Sequence, residues 1–374
     1  MAVPFIDLKR FEPDFLGRWS ELVADITQNT QFVGGPRAAD LEQALCERLG
    51  VAHTVGCANG TDALQLALRA AGVGAGDLVL VPDATFWATF EAVVNVGARV
   101  VTVDIDPDDL QMDFELFSQA VDQHRPKAAI LVHLYGWGAS RLADFRRLAA
   151  GKGVTLIEDG AQAVDVLYQG ESIYAGAELS TVSFYPAKVL GACGDAGAVF
   201  LRDAETAETV RRLGNHGRTS HYGHGLVGWN SRLGGFDAAY LHLSLDYLDE
   251  RIAGRRRLAE LYRERLTAMD VPSQGVRVVA PPDDYTENGY LNVLLVDPER
   301  RPSLMDGLKA AGIGCANVYP GAMSKQPGAA PFLEAAVGGE HAANLAASVL
   351  NLPLFAGMTD DELDEVLEVF AGLL

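Results

Sequence analysis

Between about Leu41 and Leu201 the chain alternates short β-rich runs, apolar throughout, with stretches of helical periodicity. The runs predict strands over Leu78–Val81, Arg99–Asp104, Ala128–His133, Val154–Glu158, Thr181–Phe184 and Ala198–Leu201. Between several of them the periodicity predicts helices, over Asp62–Ala71, Ala88–Val96 and Arg141–Ala150. Strands that lack a polar alternate face suit a sheet buried on both sides. That means an α/β architecture with a mainly parallel sheet. Such sheets bind ligands beyond the carboxyl ends of their strands, where His133, Asp159 and Gln162 fall.

The texture changes after Leu241. A long amphipathic stretch to about Leu266 leaves the sheet region, and two short strands follow, over Arg277–Ala280 and Leu291–Val296. Helices are expected near Ser303–Ala311, Glu340–Leu350 and Asp360–Phe370, which makes a smaller C-terminal α+β domain. The length of 374 residues allows two domains at roughly 150 residues each. We draw them as 1–250 and 251–374, with the break inside a helix rather than in a linker. Arg255-Arg256-Arg257 lies in that helix beside Glu260 and Glu264 and reads as a solvated face.

A net charge of −20 argues against nucleic acid or an anionic membrane as the main partner. It also means that an anionic ligand must be held by local donors. Cys46, Cys57, Cys193 and Cys315 are scattered without CxxC spacing, as in a reduced protein with no zinc site or disulfide framework. His216, His221 and His224 are too irregularly spaced in a glycine-rich loop to predict a metal site. The opening has no secretory pattern, and no apolar run reaches the roughly 18 residues of a membrane helix, so a cytoplasmic protein is expected.

Four constellations carry candidate chemistry. Lys188 follows one predicted strand in Ser183-Phe184-Tyr185-Pro186-Ala187-Lys188, and Asp159 ends another in Glu158-Asp159-Gly160-Ala161-Gln162. That pair suits pyridoxal phosphate: the lysine holds the aldehyde as a Schiff base and the carboxylate keeps the ring nitrogen protonated. Gln162 can reach the ring's phenolate oxygen. Gly60 and Thr61 open a helix whose N–H groups and dipole favour a phosphate, although Asn59 or Thr61 could simply cap that helix. Ser183 adds a hydroxyl. Phe86 could lie on a cofactor ring or equally pack in the core.

Taken in order, these segments resemble the sugar aminotransferases of the DegT/DnrJ/StrS group, which are fold-type I pyridoxal phosphate enzymes. The likeness runs from Phe5-Ile6-Asp7-Leu8 through Ala58–Leu64, Val132–Gly136 and Ser183–Gly197. It continues through Asn215–Arg218 and Gly228–Leu233 to Leu350–Leu354. It implies a seven-stranded sheet domain with a small C-terminal domain, and Lys188 as Schiff-base lysine and proton shuttle. Asp159 then pairs with the pyridine nitrogen, Gln162 with the phenolate, and Phe86 with the ring face. Gly60, Thr61 and Ser183 hold the phosphate, together with Asn230 lent by the other subunit of a homodimer with shared active sites. Arg232 and Tyr319 match positions near the sugar, and Arg218 is placed near the nucleotide phosphates.

The implied reaction moves an amino group from L-glutamate, leaving 2-oxoglutarate, to a keto sugar, with pyridoxamine phosphate as the aminated form of the cofactor. The segment Phe184–Gly191 with Gly194–Gly197 resembles the branch that aminates 3-keto nucleotide sugars. A 4-keto nucleotide sugar or a non-nucleotide keto sugar remains open. The chain departs from the family pattern at Val318, where a histidine is usual, and at Asp237, where a glutamine is usual. A pyridoxamine-dependent sugar dehydratase shares the frame but carries histidine in place of the lysine. A cofactor-free sensor or scaffold has no need of Asp159 or Lys188.

Overall fold

The structure is a computed structural model that describes residues 2–374. Its main sheet has eight strands: β1 (His53–Cys57), β2 (Leu78–Pro82), β3 (Arg99–Val103), β4 (Ala128–Val132), β5 (Thr155–Asp159), β6 (Leu179–Ser183), β7 (Gly197–Leu201) and β8 (Leu333–Val337). Their spatial order is β1-β7-β6-β5-β4-β2-β3-β8. β7 runs antiparallel to both of its neighbours, and every other pairing is parallel. β2 to β7 match the six runs read as strands, β1 brings the number to the seven that the resemblance implies, and β8 joins the β3 edge from the C-terminal part of the chain.

Register sets up the site. Asp159 pairs with Thr181, and Gly197 lies opposite both Cys57 and Ser183. The carboxyl ends of β1, β5 and β6 therefore come level along one rim, and the chain turns off each of them toward the same side. Val79, Leu80, Val81, Ile130 and Leu131 are wholly buried beneath that rim. Each such side chain contributes about 1.5–3 kcal/mol when fully removed from water.

β1 and β8 have no apolar-run signature. His53-Thr54-Val55-Gly56-Cys57 is half polar, and β8 alternates exposed with partly buried positions as an edge strand does. The amphipathic stretch after Leu241 is two helices, Gly235–Leu245 and Leu248–Ala268, which meet at Asp246-Tyr247. Arg255 corrects the reading of the basic triplet as a solvated face. It is buried and donates from Nη1 to the carbonyls of Gly289 and Leu354, each at 3.2 Å. Only Arg257 of the three is exposed, paired with Asp360.

A second apolar core forms around Leu258, Tyr262 and Leu266 of the longer helix, with Leu308, Leu363 and Phe370 packed on it. A three-stranded sheet of Arg277–Val278, Leu294–Leu295 and Val349–Leu350 accompanies it. The segment Glu287–Tyr290 leads from this body back to the rim of the main sheet.

Candidate active site

A cleft of about 360 Å³ opens at that rim, lined by Gly60, Thr61, Phe86, Asp159, Gln162, Ser183, Lys188, Tyr290 and Tyr319 among others. At its floor is Asp159, the last residue of β5 and 5% exposed. Its carboxylate accepts from the Ala161 N–H at 3.0 Å and, weakly, from the Thr89 hydroxyl at 3.5 Å. Thr89 is itself held by Thr85 at 2.9 Å. Burial pushes the carboxyl up, opposed by the Ala161 N–H and by the charges of Lys188 and His133. A carboxylate this deep without a bonded cation is unfavourable on its own.

Gln162 is oriented from its oxygen end. The Tyr135 N–H donates to Oε1 at 2.6 Å, so Nε2 is the end left for the cleft, and it donates to the Tyr319 hydroxyl at 3.0 Å. Tyr135 holds this pose at φ +66°, and its own hydroxyl donates to the Val318 carbonyl at 2.9 Å. An amide NH₂ carries two donors, so one remains for a ligand. Asn288, fully buried, fixes the segment from below by donating to the carbonyls of Gln162 and Val164.

Opposite lies an anion cradle. The helix Gly60–Ala70 starts directly after β1, with Asn59 as its cap accepting from the Asp62 N–H at 2.8 Å. The N–H groups of Gly60 and Thr61 belong to the first turn and have no intrahelical acceptor. A Cβ at Gly60 would fall 2.7 Å from that of Ser183, so only glycine lets helix and strand end meet here. The Ser183 hydroxyl accepts from the Tyr185 N–H at 3.3 Å, which leaves its proton free to donate.

Lys188 is half-buried, and its Nζ donates to the Tyr290 hydroxyl at 3.3 Å. Phe86 stands at the mouth, 56% exposed, with its ring 5.5 Å from that of Tyr319. A core phenylalanine is hidden from water, whereas Phe86 is largely exposed and sits at the N-cap of a helix, so core packing does not account for it.

Gly60, Thr61, Phe86, Asp159, Gln162, Ser183, Lys188 and Tyr319 thus share one cleft. Asn230, Arg232 and Arg218 are exposed and line no part of it. Asn230 bridges to Asn215, whose side chain also accepts from Arg232 at 3.4 Å, and Arg218 bridges to His224. His133 turns away from the cleft, into a buried contact with Glu158 at 3.0 Å that Arg146 completes. Sequence reasoning passed over Tyr290, Thr85, Thr89 and Tyr135. Only Thr85 left a signal, as a hydroxyl three residues past the end of β2. Among the described residues no group of three His, Cys, Asp or Glu could hold a metal ion, and no helix is long and apolar enough to cross a membrane.

A doubly covered, mainly parallel sheet with a lysine and a carboxylate converging on one cleft defines a class of group-transfer enzyme. The chain belongs to the DegT/DnrJ/EryC1/StrS aminotransferase family, whose sequence profile matches residues 17–371. It is 35% identical to the UDP-2-acetamido-2-deoxy-3-oxo-D-glucuronate aminotransferase of Pseudomonas aeruginosa, over 94% of this chain and 95% of that one. It is also 35% identical to the UDP-N-acetyl-3-dehydro-alpha-D-glucosamine 3-aminotransferase of Acidithiobacillus ferrooxidans, over 100% and 98%. The crystal structure of S. venezuelae DesV in complex with a ketimine intermediate superposes with a TM-score of 0.93. It shares 34% identity, covering 99% of this chain and 98% of DesV.

Proposed function

We propose that the protein is a pyridoxal phosphate-dependent aminotransferase that moves an amino group from L-glutamate to a nucleotide-linked 3-keto sugar. One observation carries this reading. A buried carboxylate without a bonded cation and a lysine amine face the same cleft, beside a cradle of free N–H groups. The residues fit the cofactor: Asp159 needs a cationic partner, and the Gly60 approach would be closed by any Cβ. Relatives named for 3-oxo and 3-dehydro sugars support the acceptor class.

When bound, pyridoxal phosphate supplies an aldehyde that exchanges with amines and a ring that takes up the electron pair left on a deprotonated carbon. Lys188 would hold the aldehyde carbon. Once released, its ε-amine takes the proton from the α-carbon of the amino donor and returns one to the sugar carbon that gains nitrogen. The Asp159 carboxylate keeps a proton on the ring nitrogen, and the spare Nε2 donor of Gln162 serves the phenolate. Gly60, Thr61 and Ser183 take the phosphate through N–H groups and a hydroxyl, and Phe86 covers the ring.

Asn230 acts in this reading from a second copy of the chain, and Arg232 lies near the sugar. Phe32, Val33, Tyr222 and Val227 leave apolar surface exposed, the last two more than 80% so, as an isologous interface needs. Arg218 is assigned to the diphosphate.

The direct test runs the reaction in reverse. Purified protein with pyridoxal phosphate and 2-oxoglutarate is offered UDP- and dTDP-linked 3-amino and 4-amino sugars, and glutamate is measured. Formation of glutamate from the 3-amino compounds supports the assignment. Glutamate from none of them, in protein that binds cofactor, overturns it.

A further inference from the structure

The amine of Lys188 touches Tyr290, which comes from the C-terminal part of the chain. Nζ lies 3.3 Å from the phenol oxygen and 5.1 Å from the ring centroid. Asp159 makes no hydrogen bond to Lys188 and feels its charge only through space. Tyr290 lines the cleft, and its position is over-determined. Its N–H donates to Asn288 Oδ1 at 3.0 Å, while the Asn288 amide donates to the segment that carries Gln162. Gly289 before it, at φ +66°, packs so closely that a Cβ would lie 2.6 Å from the Arg255 carbonyl carbon. Gly136, at φ +103°, admits the same segment: a Cβ there would fall 2.5 Å from Asn288 Oδ1. This scaffolding holds one phenol in place, and what that phenol meets is the lysine.

We propose that Tyr290 is a positioning residue that parks the Lys188 ε-amine in the cleft whenever the amine is not bonded to the cofactor carbon. The inference rests on the reading of Lys188 as the cofactor lysine. A lysine stem is flexible, and a nitrogen held near its target attacks faster than one that must search. The hydroxyl offers an acceptor for that nitrogen without an opposing charge, so the amine is located but not trapped as an ion pair.

The experiment uses the cofactor-free full chain. Pyridoxal phosphate is added and the rate of covalent capture is followed: Nζ forms a bond to the aldehyde carbon and water leaves. Borohydride then traps the product, and peptide mass mapping locates it. Tyr290→Phe keeps the ring and removes the acceptor, and capture should slow by about five- to tenfold, the worth of one hydrogen bond. Affinity for pyridoxamine phosphate, which cannot be captured, should stay unchanged. Capture within about twofold of wild type overturns the proposal. Should Tyr290→Phe also lower the melting temperature, Tyr290→Gln decides, because it restores an acceptor without the ring. Parking predicts faster capture by Gln than by Phe, and a packing role predicts the reverse. If borohydride leaves Lys188 unlabelled in the wild type, the reading of the lysine fails rather than the role of Tyr290.

Discussion

Tyr135 and Gln162 are locked together: the backbone N–H of the first donates to Oε1 of the second at 2.6 Å. This bond decides which end of the amide a ligand meets. Because Oε1 is taken, Nε2 faces the cleft, and a side chain that is symmetric in shape becomes a one-sided donor.

Gln162→Glu is isosteric but turns that donor into an acceptor with a charge. The Tyr135 N–H keeps its partner, while the phenolate loses a donor and gains an anion. Affinity for pyridoxal phosphate should fall by about 2 kcal/mol, roughly thirtyfold. Gln162→Ala removes the donor without adding charge and should weaken binding less. Equilibrium titration of the cofactor measures both, and equal losses would contradict the assigned polarity.

Asp159 links the site to stability through pH. Burial raises its carboxyl above the ordinary value of 3.8, so the folded cofactor-free protein keeps the proton where the unfolded chain has lost it. The native state binds more protons in that window, so stability falls as pH rises from 3.8 through the raised value. Asp159→Asn removes this slope and should stabilise the cofactor-free protein by about 1–2 kcal/mol at neutral pH, with no difference below both values. Added cofactor should stabilise the wild type more than the variant, and turnover should fall by about 10² or more in Asp159→Asn. Urea unfolding across pH, with and without cofactor, reads the stability terms. Wild type and variant with parallel pH profiles would refute the linkage.

Lys188, Asp159 and Gly60 were legible because each follows a strand or opens a helix, and local pattern marks both places. Tyr290 was not, since it lies 102 positions downstream of Lys188 and only long-range packing brings it there. Thr89 reads as an ordinary helix residue, and its bond to Asp159 depends on the angle at which that helix meets the sheet. Nothing in Leu134-Tyr135-Gly136 announces the positive φ of Tyr135 that turns its N–H toward Gln162. Arg255 was misread for a related reason. Charge composition describes a helix face, but the carbonyls of Gly289 and Leu354 that bury this one lie outside the helix.

The cradle gives a steric prediction. Gly60→Ala places a methyl 2.7 Å from the Ser183 Cβ and 3.1 Å from its Oγ, so helix and strand end must part. Both N–H groups of the first turn then move relative to the Ser183 hydroxyl. Affinity for pyridoxal phosphate should drop by about 1.5–3 kcal/mol, the scale of a charge-assisted bond, with far-ultraviolet circular dichroism unchanged. Ser183→Ala keeps the Cβ that the new methyl meets and removes a donor, so the double variant should bind no better than Gly60→Ala alone.

Asn230 tests whether two copies of the chain build one site. It lies outside the cleft of its own subunit, on an exposed segment beside Arg232. If it serves the phosphate of the neighbour, Asn230→Ala and Lys188→Ala strike different subunits of the same site. Each variant alone should be impaired, Lys188→Ala to the point of no measurable turnover. A dimer with one subunit of each kind has one site carrying both lesions and one carrying neither. Mixing the two under conditions that let subunits exchange should therefore raise turnover above the average of the separate samples. A mixture no more active than that average, with exchange verified by mass, places Asn230 outside the partner's site and leaves Gly60, Thr61 and Ser183 to bind the phosphate alone.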